Sequence, residues 1–537
     1  MGHFSFPHTR RLNLKIVLWI CGMCVLCLVA CAGNIPGAVT LTPTPAKGGD
    51  GELRVLAVGE PVSLNPNIRA DDNAFNVAQN VYNKLVTLDP DYRVIPDLAE
   101  TWDASEDGLT YTFQLAKNVR WHDGKPFTSA DVKWTLEALK QSQTAGVEIA
   151  NRIAAIETPN DHTVVVRLQQ VWSPLIPTLA WYGAFILPKH IYEGSEWTKS
   201  PANEKPIGTG PFKFGEWVKG DHITLEANRD YFKRGPFLTK VTYRLLKDTS
   251  VAGDLLARNQ VDYILVRPPL ESIRDLQASP DVRVKTFSQP SRYYMGFNLR
   301  RKPFGDLRVR QALSMAIDRP LLVDRAVLGY GIPGFGMYTP AIPWAFNPDA
   351  RAPGLDLAAA EKLLDQAGLT RDASGVRAKW TFIAFNMSPF KETALAVQQD
   401  VARVGITLDL ILVATSDWNT RVYTAKDFDL ALANGSQGPD PDNLNVRFGS
   451  KGTSQFMGYA NPDLDATLAE GARLTKLDER ARAYFRAQDL LARDLPALPL
   501  MEAIQFIIYR ANVSGLPQVE ARGLVTFQNY SLVRLNK

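Results

Sequence analysis

The longest unbroken apolar stretch of the chain lies near its start, over residues 16–30, behind Arg10, Arg11 and Lys15. At roughly 15 residues it is shorter than the about 20 that a membrane-crossing helix needs, and it has the form of a secretory signal. Residues 32–51 are rich in Gly, Pro, Thr and Ala without apolar periodicity, which predicts a flexible tether. Beyond them the pattern changes. Apolar and polar positions alternate over 53–58, 109–115 and 163–168, the period of half-buried strands. Thr128 followed by Asp131 predicts a capping box that opens a helix from Ser129 to about Lys140. Farther along, helical and strand periods alternate. Asp356 is placed to cap a helix that reaches Ala367 and stops at Gly368, and 380–384 then reads as a strand. A helix over about 391–404, closed by Gly405, precedes a strand at 406–413, a short helix near Asp417 and a strand at 429–433. This order predicts an α/β fold whose loops, at the carboxyl ends of the strands, suit a ligand. No internal repeat of 20–50 residues is visible in the chain.

Cysteine usage and charge sharpen the reading of the start. All four cysteines (Cys21, Cys24, Cys27 and Cys31) fall in or just after the apolar run, so removal of residues 1–30 leaves Cys31 alone. No disulfide framework and no Cys-based metal site is then available downstream, which suits an exposed compartment. Leu28-Val29-Ala30-Cys31 resembles the lipobox of bacterial lipoproteins, in which cleavage before the Cys leaves a thiol that carries diacylglycerol. The expected result is a protein held to the extracytoplasmic face of the membrane by lipid on Cys31. Residues 9–15 also resemble a twin-arginine export signal, although Asn13 stands where a large apolar residue is usual, and general secretion is the expected route. Three of the 60 basic residues lie in 1–30, which contain no acid, so the mature chain carries 57 basic against 56 acidic residues. That balance, with signs interspersed, excludes the basic footprint of a nucleic-acid binder.

The body is long enough for two to four domains' worth of core, and little in it points to catalysis. Gly329-Tyr330-Gly331-Ile332-Pro333-Gly334 matches the spacing of a dinucleotide loop, but it leaves a predicted helix instead of a strand and contains Pro333. It reads as turn chemistry. Asp440-Pro441-Asp442-Asn443 has Lys451 where a calcium loop needs its bidentate acid, and also reads as a turn. The four histidines of the mature chain (His122, His162, His190 and His222) share no metal-ligand spacing, and no GxSxG or HExxH occurs. No cofactor, metal or catalytic residue is expected.

Four stretches, in order along the body, resemble the peptide/nickel class of solute-binding proteins that serve ABC importers. They are residues 81–139; Gly208-Thr209-Gly210-Pro211-Phe212 with the following Asn228-Arg229-Asp230-Tyr231; Phe297-Asn298 through Arg308-Val309-Arg310-Gln311-Ala312 to Asp318-Arg319; and Asp429-Leu430-Ala431 through Asn443. The resemblance implies an α/β periplasmic-binding-protein-like type II fold, with two lobes and an extra domain around a hinged cleft. Lobe I is expected from 52–78, 207–291 and 506–537, with an accessory domain at 79–206. Lobe II is expected from 292–505, and the strands crossing between lobes near 289–298 and 502–510. It also implies a monomer that captures a peptide or peptide-like solute and docks on permease and ATPase subunits. An oligosaccharide or metal-chelate binder, or a sensory lipoprotein, is the alternative within the same fold.

In peptide-binding relatives an Asp just before the Asp-Pro-Asp-Asn-like segment pairs with the ligand's amino group. The matching position here is Gln437, flanked by Asn434 and Ser436, and Gln cannot form an ion pair. Either Asp71 or Asp72, after Ser63-Leu64-Asn65-Pro66, receives the amine, or the ligand has no free amine there. Trp418 falls where relatives place a pocket-wall aromatic, with core packing as the competing reading. Tyr293 and Tyr294 alternate on a predicted crossing strand, and Tyr294 is assigned to the cleft. Lys391 stands near the place where dipeptide binders keep a carboxylate-binding Arg, as a point charge instead of a fork. A Gln437→Asp variant is expected to bind unmodified peptides more tightly than wild type in calorimetric titration, and equal binding removes the amine from this position.

Overall fold

The structure is a computed structural model that describes residues 51–536, apart from 70, 90, 91, 182, 247, 249, 266, 267, 289, 437, 439 and 517–528. Its organising element is the 14-residue strand Ala497–Arg510. The first part of this strand pairs antiparallel with Ser291–Phe297, from Ala497 opposite Gly296 to Met501 opposite Tyr293. Its last part pairs with Val282–Ser288, from Ile504 opposite Ser288 to Arg510 opposite Val282. One strand therefore belongs to two halves of a twelve-stranded sheet. The chain passes between the halves twice, between Ser288 and Ser291 and again around Glu502.

In lobe I, Glu52–Val58 lies parallel to both Lys240–Leu246 and Tyr263–Ile264. The antiparallel strands His222–Ala227 and Phe212–Val218 extend this half to its edge. A separate four-stranded antiparallel sheet comprises Ala99–Ala104, Thr110–Leu115, Thr163–Leu168 and Ile153–Asn160. It shares a single buried cluster with lobe I, running from Leu53 through Phe113 and Val166 to Tyr530. The expected domain boundary at 78/79 falls inside the helix Asp72–Val81, whose Phe75, Val77, Ala78 and Val81 all belong to that cluster. An apolar face cannot be cut at one position, so the accessory sheet and lobe I pack as one body.

Lobe II carries the sheet Ile406–Val413, Ala378–Phe385, Leu430–Ser436 and Ser291–Phe297, ending on the shared strand. It is buried on both faces. Met295, Phe382 and Leu432 belong to one core, while Tyr294, Ile383 and Ala431 belong to the other. The period of two in these strands sends successive side chains to opposite sides, and helices cover each side. Local signals behave as their chemistry demands. The Thr128 amide donates to Asp131 Oδ2 at 2.9 Å to open the helix Ser129–Ala138. Asp356 caps Leu357–Gln366 through the Ala359 amide, and Gly368 and Gly405 take the left-handed conformation after their helices.

At the crossing between lobes, Arg292 Nη2 lies 2.7 Å from Glu502 Oε1, with both side chains almost wholly buried. Arg292 Nη2 also donates to the Tyr338 carbonyl at 2.7 Å, and Ser288 Oγ donates to Glu502 Oε2 at 2.7 Å. The three groups tie the end of the lobe I strand, the start of the lobe II strand and the shared strand together. The GxGxxG-like segment finds its role here. Gly331–Pro333 adds a short strand opposite Met501–Ala503, and a Cβ on Gly334 would sit 2.5 Å from Arg292 Nη1. Glycine leaves the space that the guanidinium occupies. Replacing Arg292 with Met strands a buried carboxylate and is expected to cost about 3–5 kcal/mol in urea unfolding. An R292M/E502L double variant is expected to recover most of that loss, and full loss in the double variant would show that the pair is not the source.

Candidate functional site

Two cavities stand out among the described residues. The larger, about 510 Å³, is lined by residues such as Asn83, Lys84, Asp97, Tyr231 and Lys233, all within lobe I and its accessory sheet. Burial pulls the Lys84 ammonium down to about 7 although Asp97 opposes the shift. Lys84 Nζ donates to the Ala180 carbonyl and faces the Phe75 and Phe185 rings, so it is tied into packing of one lobe. The smaller cavity, about 230 Å³, is walled from both sides of the molecule. Of the two, this second one has walls from both lobes.

The accessory side contributes Glu148 and Arg152 from the helix Gly146–Arg152, and Trp172 and Trp181 from the segment after strand Thr163–Leu168. Arg152 lies over the Trp172 ring at 4.6 Å and reaches Glu148 at 3.6 Å. Lobe II contributes the segment that follows Leu430–Ser436, with Gly438, Asp440 and Asp442 on the wall. A parallel strand delivers this segment at its carboxyl end, the position where α/β sheets present ligand loops. Asp440 accepts Arg480 Nη2 through both oxygens at 2.8 Å, and the pair is buried. Arg480 also donates to the Gly471 carbonyl at 3.0 Å, which leaves it well satisfied.

Asp440 is therefore a structural anchor, and its Oδ1 also receives the Asp442 amide at 3.0 Å, the turn expected for this sequence. Asp442 behaves differently. Burial first, and the negative charge of Asp440 second, push its carboxyl up to about 6, against the pull of Trp172, Arg152 and Arg480. The lobes meet directly beside it. Trp172 Nε1 donates to Asp442 Oδ2 at 3.4 Å, the Ser173 amide donates to the Ala472 carbonyl at 2.8 Å, and Ser173 Oγ donates to the Leu474 carbonyl.

The residues expected to hold ligand are dispersed. Gln437 lies outside the described residues, but its neighbour Gly438 lines the cavity. Neither Ser436 nor Asn434 lines the cavity: Ser436 pairs with Ser291 in the strand ladder, and Asn434 Oδ1 accepts a hydrogen bond from Ser291 Oγ. Asp71 is spent as a helix cap: Oδ1 accepts from the Asn73 amide at 3.0 Å and Oδ2 from the Val62 amide at 3.0 Å. Asp72 is exposed in the first turn of the same helix. Neither lines either cavity.

Three aromatic and charged assignments need correction. Tyr294 does not face the cleft; it is buried in lobe II, stacked on Phe456 at 6.3 Å and tilted against Phe448. Both faces of its sheet are covered, so alternation alone does not expose one of the two tyrosines. Trp418 takes the competing reading, packed in the same core against Phe385 at 4.8 Å and Phe456 at 5.8 Å. Lys391 is exposed in the first turn of Phe390–Ala402 and lines neither cavity. Conversely Glu148, Arg152, Trp172 and Trp181 carried no local signal, because they reach the site only through contact with residues some 270 positions away.

Among the described residues no helix is long and apolar enough to cross a membrane. Comparison with known proteins places this architecture. The chain is 26% identical to the oligopeptide-binding protein AppA of Bacillus subtilis, over 98% of this chain and all of the relative. It is 28% identical to the dipeptide-binding protein of Escherichia coli, over 88% of this chain and 93% of the relative. The crystal structure of the ABC transporter substrate-binding protein CtaP from Listeria monocytogenes superposes with a TM-score of 0.83 at 29% identity, covering 91% of this chain and all of that one. The model of the bacterial extracellular solute-binding proteins, family 5, matches residues 93–456. That span is more than half the chain, and with the two-lobed fold around it this protein belongs to family 5 of the bacterial extracellular solute-binding proteins, a family that binds solutes and is not enzymatic.

Proposed function

We propose that the chain is the solute-binding subunit of an ABC importer, anchored by lipid on Cys31, and that it captures peptides or peptide-like solutes by lobe closure. The observation that carries this reading is the interlobe cavity beside a two-strand crossing. A cavity walled from both lobes closes and opens as they move about Ser288–Ser291 and Glu502, the hinge geometry of ligand traps. A ligand that touches both walls favours the closed state by its differential affinity for it. The peptide assignment is supported by the relatives, since the Bacillus subtilis and Escherichia coli proteins are named for oligopeptides and dipeptides. The lipid assignment is supported by the run of residues 16–30 ending at Cys31, which lies outside the described residues. The acyl chains of a lipidated Cys suffice for stable attachment where one chain alone is marginal.

Native mass spectrometry of the protein purified from its host is expected to reveal a heterogeneous set of bound peptides, and a single sugar or metal chelate would remove the peptide assignment. A Cys31→Ser variant is expected to leave the membrane fraction and to lose incorporation of labelled palmitate. Retention of both would overturn lipid anchoring.

A further inference from the structure

The helix Pro462–Arg473 ends against the opposite lobe. A helix leaves its last carbonyls without partners in its own ladder. Here two carbonyls at that end find donors across the cleft, both on Ser173 of the accessory side. The Ser173 amide donates to the Ala472 carbonyl at 2.8 Å, and Ser173 Oγ donates to the Leu474 carbonyl. The side chains follow the same path. Ala472 packs against the buried cluster of lobe I and its accessory sheet, although its helix buries Leu464 and Leu468 in lobe II. Thr475 sits beside Val171 and the turn at Gly108, where a Cβ on the glycine would lie 3.1 Å from Thr475 Cγ2 and 3.1 Å from Val171 Cγ1. Gly108 has a φ of +68°, which glycine adopts without steric cost, and so the turn comes this close.

Both faces of this contact are built without any ligand. Trp172, next to Ser173, is held in the lobe I core with the Arg152 guanidinium over its ring at 4.6 Å. On the other side a Cβ on Gly471 would lie 2.8 Å from the Tyr484 ring. The Gly471 carbonyl accepts Arg480 Nε at 3.0 Å, and the same arginine holds Asp440. We infer that residues 472–475 and Val171–Ser173, with the Gly108 turn, form a latch that holds the lobes together before solute arrives. This rests on the lobe-closure reading of the function and adds to it a closed population in the solute-free protein. The latch is weak. In an open form both carbonyls and both Ser173 donors bond to water, so each hydrogen bond contributes about 2- to 10-fold to the ratio of closed to open molecules. Two bonds with the Ala472 contact give a bias on the order of 10- to 100-fold, small enough for opening to admit solute and to release it.

The test is hydrogen exchange at the Ser173 amide in the full-length protein, refolded from denaturant free of solute and read by fragmentation mass spectrometry. In wild type this amide is expected to exchange about 10- to 100-fold more slowly than in an unstructured peptide. Ser173→Ala removes one of the two bonds and keeps the amide, and is expected to speed exchange by about 2- to 10-fold. Ala472→Arg keeps a good helix former and a favourable charge at the helix end, but its side chain does not fit against the lobe I core. It is expected to abolish protection of Ser173 while amides within the helix Leu477–Asp494 stay protected. Exchange of Ser173 at the peptide rate in wild type, which needs no variant to fold, overturns the latch. Undiminished protection in Ala472→Arg does the same. A synthetic tetrapeptide library is then expected to raise protection in wild type and in Ser173→Ala. Unchanged protection, with no bound peptide in native mass spectrometry, overturns the peptide reading alone, because the solute-free measurement still decides the latch.

Discussion

The structure depends on an ion pair placed where two sheets become one. Arg292 and Glu502 sit at the crossing between lobes, 2.7 Å apart and nearly sealed from solvent. Burial lowers the Arg292 guanidinium from its ordinary value, and Glu502 opposes that shift. A buried pair of this kind contributes little net stability over an apolar substitute, but it is intolerant of misplacement because either charge alone is costly. Its position therefore matters more than its strength. It fixes the register of three strand segments where a slip of one residue would reverse the faces of both sheets. Gly334 supplies the space that lets the guanidinium sit there.

From that constraint the site follows. Trp172 belongs to the core that lobe I and its accessory sheet share, the core that also holds Leu53 and Val55. Asp440 is fixed to lobe II by Arg480 on the long helix Leu477–Asp494. The cavity thus has one wall from each lobe. Its two neighbouring carboxylates have separate duties. Asp440 is held on both oxygens by Arg480 Nη2 and by a turn, and so holds the loop; Asp442 meets Trp172 across the cleft.

The helices, caps and strands of lobe II were legible to within a few residues because each rests on local chemistry. Asp356, Gly368 and Gly405 act through their own backbone neighbours, and 406–409 alternates as a strand does. The site was less legible. Asp71 carries the signal of an exposed acid and of a cap alike, and only the geometry of Val62 and Asn73 shows that it is a cap. Tyr294 and Trp418 carry the signal of aromatic residues on a strand and a short helix, and only coverage of both sheet faces shows that they are core.

By itself the sequence determined the alternation of elements in the body and showed no local catalytic motif. These depend on composition, period and spacing, which are properties of neighbouring residues. It also carried the family resemblance, spread over motifs whose structural roles are turns and caps. Tertiary structure alone decided which carboxylate pairs with Arg480 and which glycine of 329–334 matters. It also decided that Trp172, some 270 residues before Asp442 in the chain, forms the opposite wall of the same cavity. Desolvation and partner count depend on what is brought near in space, and no local pattern encodes either. The physical distinction is between interactions closed within one turn or strand and those closed only when two lobes meet.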